Sequence, residues 1–182
     1  MDQLGSQFKD LPDGFIALVL TDAEEMLKTN ITILKELTKQ DHIGLYITVN
    51  QPYKRLLQLL DNNKIPTDRM FFIDCVTRMA GGTSKRENNC IFIASPSGLT
   101  ELGIAISQAL ESFPDKKKYI YMDALSTLII YNTAGSIAKF SHFIMSKIKI
   151  LGVSGVFIAA RKEVDEQLIA QIAQFCDKVI RT

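Results

Sequence analysis

Short apolar runs alternate with longer amphipathic stretches along this chain. Residues 15–20 predict a first strand. Residues 24–39 predict a helix whose apolar face holds Met26, Ile31, Ile33, Leu34 and Leu37. Residues 43–49 predict a second strand, and Pro52 then opens a helix at its first-turn position, carrying Leu56, Leu57, Leu59 and Leu60. Strands follow at 70–76 and 91–94, and a helix at 100–113 is stopped by Pro114. Next come a strand at 119–122, a helix from about 133 to 151 ended by Gly152, a strand at 156–160, a helix at 165–176 and a short strand at 179–180. Strands separated by helical patterns of roughly 10–20 residues imply βαβ units. They predict a three-layer α/β/α sandwich around a mainly parallel sheet. Residues 15–20, 119–122 and 156–160 are its expected central strands, because continuous apolar runs suit strands covered on both faces. A functional crevice is then expected at the C-terminal ends of the strands, near a switch in strand order. Residues 77–89 break the rhythm with Gly81, Gly82, Thr83, Ser84, Asn88 and Asn89, and read as a flexible loop. No repeat or second domain is visible, so 1–182 reads as one domain.

Composition narrows the class. A chain of 182 residues can bury a full α/β core, and 47% hydrophobic with 23% charged residues is a globular balance. A net charge of +1 carries no signal for nucleic acid or an anionic membrane. Cys75, Cys90 and Cys176 lie far apart, with no Cys-x-x-Cys and no Cys/His cluster, and read as small hydrophobes in a reducing compartment. The polar start of the chain does not look like a signal peptide, and no apolar run nears the ~18 residues of a membrane span. A cytoplasmic protein is the expectation. His142 reads as a surface or packing residue of a long helix and His42 as a loop residue, while Arg161 and Lys162 follow a strand and so belong at the crevice end of the sheet.

The turn after the first strand is the most telling segment. It reads Thr21-Asp22-Ala23-Glu24-Glu25-Met26-Leu27-Lys28-Thr29. A phosphate-binding loop reads Gly-x-x-x-x-Gly-Lys-Ser/Thr at such a place. The register here gives Asp22-x-x-x-x-Leu27-Lys28-Thr29, which keeps the Lys-Thr pair and lacks both glycines. Glycine lets the backbone approach a phosphate closely. Leu27 puts a branched side chain in that place, and Asp22, Glu24 and Glu25 put negative charge where an anion would bind. As an ordinary helix start, Thr21 or Asp22 is the N-cap and the acids fill the first turn.

The order of motifs resembles the RecA-like ATPases, and within them the KaiC-like family. Beside the degenerate loop, three segments carry the likeness: Gly44-Leu45-Tyr46-Ile47-Thr48-Val49-Asn50-Gln51-Pro52 with Arg55-Leu56-Leu57, then Arg69-Met70-Phe71-Phe72-Ile73-Asp74, then Tyr119-Ile120-Tyr121-Met122-Asp123-Ala124-Leu125-Ser126-Thr127-Leu128. The last is similar to the family's Walker B strand and the turn after it. The resemblance implies a RecA-like P-loop NTPase fold. It aligns Asn50 and Gln51 with the family's paired glutamates, one of which activates the attacking water. An amide cannot accept that proton. It leaves Asp123 as the residue that would hold Mg²⁺ through water, if the site retains metal at all; the other reading of Asp123 is a cap or hydrogen-bond anchor at a strand end.

Loss of the phosphate cradle and of the general base together implies a pseudo-ATPase without catalytic residues. The expected role is that of a regulatory or protein-interaction module, with a protein partner or a homo-oligomer and no required cofactor. Two alternatives use the same crevice. One is weak binding of ATP and Mg²⁺ through Lys28, Thr29 and Asp123, and the other is a signalling module for a different small ligand.

Overall fold

The computed structural model describes residues 3–9, 12–85 and 87–182. Arg86, within the loop expected at 77–89, and Met1 and Asp2 at the polar start lie outside the described residues. The strands are β1 (Ile16–Thr21), β2 (Ile43–Thr48), β3 (Met70–Asp74), β4 (Cys90–Phe92), β5 (Lys118–Asp123), β6 (Ser154–Ala160) and β7 (Lys178–Arg181). The helices are α1 (Gln3–Ser6), α2 (Met26–Leu37), α3 (Tyr53–Asn62), α4 (Leu99–Ser112), α5 (Leu125–Tyr131), α6 (Ala134–Ile150) and α7 (Glu166–Ala173). All seven strands pair in parallel, in the order β4-β3-β2-β5-β6-β1-β7. The expected α/β/α sandwich with a parallel sheet is therefore the observed architecture. The three strands expected at the centre, β5, β6 and β1, are neighbours and none is an edge.

The period of two along the strands builds two cores. Ile16, Leu18 and Leu20 of β1 face one side with α4, α5, α6 and α7. Ala17 and Val19 face the other with α1, α2 and α3. Every residue of β1, β2 and β6 is buried, as strands sandwiched between helical layers must be. Fully burying one such Ile, Leu or Val contributes about 1.5–3 kcal/mol. On the α2–α3 side the sheet is aromatic: Tyr46 packs on Tyr121 with ring centroids 5.2 Å apart and on Phe72 at 6.1 Å. Gly44 of β2 lies opposite Tyr119 of β5, and a Cβ there would collide with the phenol ring, so this close approach needs glycine.

Four local readings change. The helix expected from residue 24 begins at Met26, because Ala23–Glu25 form a 3₁₀ turn first. Pro52 is the N-cap of α3 and not its first helical residue. The Leu-Ser-Thr-Leu segment after Asp123 is the helix α5, and not a turn. The short helix α1 precedes the first strand. No helix among the described residues is long and apolar enough to cross a membrane.

Candidate functional site

Parallel strands carry their C-terminal ends to one edge of the sheet, where Thr21, Asn50, Gln51, Asp74, Asp123 and Arg161 gather. At the end of β1 the backbone turns at once into the 3₁₀ turn. Asp22 has extended dihedrals (φ −69°, ψ 145°) at the N-cap position, but its carboxylate makes no capping hydrogen bond. Two main-chain N–H groups of this turn bond inward: Glu25 donates to the Asp22 carbonyl at 3.0 Å and Met26 to that of Ala23. The Asp22 carboxylate instead accepts from Arg161, with both oxygens 2.9 Å from one guanidinium nitrogen, and Lys162 stands 3.7 Å away. Arg161 above all holds the Asp22 carboxyl below the usual carboxylate range; desolvation opposes this and Lys162 adds to it.

The remaining residues of the turn diverge. Leu27 is 49% exposed. The Lys28 ammonium points to solvent and pairs with Glu25 at 3.1 Å. Thr29 is buried and shares a 3.1 Å hydrogen bond with Thr21 of β1, which fastens the first turn of α2 to the sheet.

At the ends of β2 and β5 the polar groups close on one another. Asp123 is buried, and its Oδ2 accepts from the Tyr46 hydroxyl at 2.8 Å while its Oδ1 accepts from the Asn50 amide at 3.0 Å. Thr127 of α5 donates its hydroxyl to the Asn50 carbonyl oxygen. Tyr121 donates to Asn30 of α2 at 2.8 Å. Burial raises the Asp123 carboxyl above its ordinary pKa, and hydrogen bonds from Tyr46, Asn30 and Asn50 partly offset this. The Tyr46 phenol is pushed well up by burial, and then by the Asp123 charge. Gln51 makes its contacts through the main chain: its N–H donates to Thr48 Oγ1 at 3.1 Å, and its carbonyl accepts from the same hydroxyl at 2.6 Å.

Asp74 ends β3 as a second saturated carboxylate. It accepts from the backbone N–H groups of Tyr53, Val76 and Thr77 at 2.7, 2.7 and 2.8 Å, which ties the start of α3 and the next loop to the strand. Nothing in the sequence marked Tyr46, Asn30, Thr127 or Asp74 as network members. The tyrosine lies inside an apolar run, and its partner is 77 residues away. A cavity of about 250 Å³ opens between Asp22, Glu24, Lys162 and Glu163, below the roughly 300–1,000 Å³ of ordinary small-molecule sites. Among the described residues, no three His, Cys, Asp or Glu side chains group as metal ligands.

The geometry can be set against known proteins. One family profile covers residues 21–182, nearly the whole chain. The chain belongs to DUF7504, a family of unknown function. No curated protein matches it. Solved structures do resemble it. The flagellar accessory protein FlaH of Methanocaldococcus jannaschii superposes with a TM-score of 0.65 at 12% identity, over 99% of this chain and 76% of its own. The uncharacterized protein PH0321 of Pyrococcus horikoshii, solved in complex with an unknown peptide, gives 0.72 at 10% identity, over 100% and 82%. The KaiC-like protein PH0186 of Pyrococcus horikoshii OT3 gives 0.67 at 9% identity, over 94% and 72%. At these identities the likeness is one of fold, and this member of DUF7504 has the RecA-like α/β fold.

Proposed function

We propose that this domain is a RecA/KaiC-like module that does not hydrolyse ATP and works by binding protein, as a regulatory or scaffold subunit. The observation that carries the reading is that the chain's own groups saturate the strand-end residues. In this reading, Asp22–Thr29 is a phosphate loop without its cradle. The Glu25 and Met26 N–H groups are bound to Asp22 and Ala23, and the Asp22 carboxylate occupies Arg161 and Lys162. Lys28 is directed to solvent. Asn50 and Gln51 offer no carboxylate to take a proton from water. The residues present therefore do not fit Mg-ATP. Asp123 would be left alone to hold the metal, and both its oxygens already accept hydrogen bonds from Tyr46 and Asn50. A polar cluster satisfied in this way supports a structural role. The peptide found with PH0321, a protein of similar fold, accords with a binding role.

The test is phosphate release and thermal shift with Mg-ATP. No turnover above buffer and a Tm change within about 1 °C are expected, since a ligand at 100 times its Kd adds about 2.7 kcal/mol. Turnover lost in Asp123→Ala, but not in a surface variant, overturns the reading.

A further inference from the structure

Helices α4 and α6 lie together on the side of the sheet away from α2 and α3. Their inward faces fill the core with Leu102, Ile106, Ile137 and Ile144. Their outward side stays apolar: Ile104 and Phe143 are each 53% exposed, and Ile150 is 85% exposed. Two cavities, of about 570 and 640 Å³, run along α6, and both are lined by Lys139 and Phe143, so these residues stand where the two meet. The pair of cavities extends from Ser136 to Leu151. At a rise of ~1.5 Å per residue this is about 22 Å, the length of roughly four helical turns. Contiguous apolar surface of this kind marks an interaction site.

Charge identifies what fits there. Helix α6 carries Lys139, Lys147 and Lys149 and no carboxylate. Glu111 lies 3.8 Å from Lys147, and Asp177 lies 3.3 Å from Lys149. Lys139 has no ion-pair partner among the described residues. A two-fold contact centred on this face would set Lys139 against its own copy, an unfavourable like-charge pair. The occupant suited to the face is a different chain that brings apolar side chains and a negative charge.

We propose that the α4–α6 face is a docking groove for an amphipathic helix of a partner protein. Apolar anchors at i, i+3 or i+4, and i+7 seat on either side of Phe143, and an Asp or Glu of the partner pairs with Lys139. This rests on the protein-binding reading above and gives it a surface and a partner chemistry.

The probe is a displayed library of amphipathic helices of roughly 20 residues, randomised at anchor and flanking positions and selected against the whole chain. Recovered helices are expected to carry a carboxylate flanking the anchors, and to bind Phe143→Asp at least about tenfold more weakly by fluorescence anisotropy. Selection against Lys139→Glu is expected to recover Lys or Arg at the flanking position. Both changes are at exposed residues, and unchanged circular-dichroism melting verifies the fold. No enrichment, or enriched helices indifferent to Phe143→Asp, overturns the groove; a preference unchanged by Lys139→Glu overturns the charge pairing. A wild-type dimer in sedimentation that Phe143→Asp dissociates also overturns the proposal and assigns the face to a second copy. Phosphate release from Mg-ATP is measured on the same preparations. Turnover there refutes the non-catalytic reading, whereas a failed selection without turnover refutes the groove alone.

Discussion

Asp123 is the residue on which the strand-end cluster turns. Its two oxygens hold Tyr46 from β2 and Asn50 beyond it, and Asn50 in turn holds Thr127 of α5. Asp123→Ala leaves a buried hydroxyl and an amide without their acceptor. A loss of about 2–3 kcal/mol is expected in urea unfolding, with about 1–3 kcal/mol for Tyr46→Phe, which leaves the buried carboxyl short of one donor. The pH dependence has a definite sign. Burial raises the Asp123 carboxyl, so the folded pKa exceeds the unfolded one. Its contribution to stability is full below the unfolded value of about 3.9 and is lost as pH rises through the folded pKa. Wild type should therefore gain on Asp123→Asn, which does not titrate, as pH falls through that window. Asp22 behaves oppositely: its lowered pKa gives a contribution present above the unfolded pKa and lost as pH falls through the folded one. Asn50 and Asp123 were both legible in the sequence as members of one site, through the resemblance of their strands to those of KaiC-like proteins. Their hydrogen bond to each other was not, and neither were the bonds to Tyr46 and Thr127, because a side chain's long-range partner leaves no local pattern.

At the scale of elements, the strands were legible because burial on both faces demands unbroken apolar runs, as in Ile43–Thr48 and Ser154–Ala160. Helices with a clear polar face, such as α3 and α7, were legible from the helical spacing of their apolar positions. Helix α5 was not: Leu125-Ser126-Thr127-Leu128-Ile129-Ile130-Tyr131 is only seven residues long and mixes β-branched residues without a clean period. The long helix α6 stops where expected, and its end explains why. Gly152 has φ +67°, its N–H bonds to Lys149, and the Val153 N–H reaches back to Ile148 at 2.8 Å, a Schellman closure. Gly152→Ala puts a Cβ on a left-handed residue, and a loss of about 1–2 kcal/mol in thermal or urea unfolding is expected.

The whole molecule keeps the RecA-like sheet while its β1–α2 turn, which binds the Glu25 and Met26 N–H groups to its own carbonyls, is proposed to have given up a phosphate site. That distinction between scaffold and site leads to a reconstruction. Asp22→Gly, Glu24→Ser, Glu25→Gly and Leu27→Gly together free the turn and remove three carboxylates. Each glycine within the helical turn costs up to ~1 kcal/mol. Weak, Mg-dependent ATP binding near millimolar is expected of this variant, without turnover until Asn50→Glu or Gln51→Glu restores a base. The most direct test needs no mutation: calorimetric titration of Mg-ATP into the wild-type chain. No binding heat is expected up to about millimolar nucleotide. A micromolar Kd would contradict the claim that the chain's own carboxylates and amides have replaced the nucleotide site.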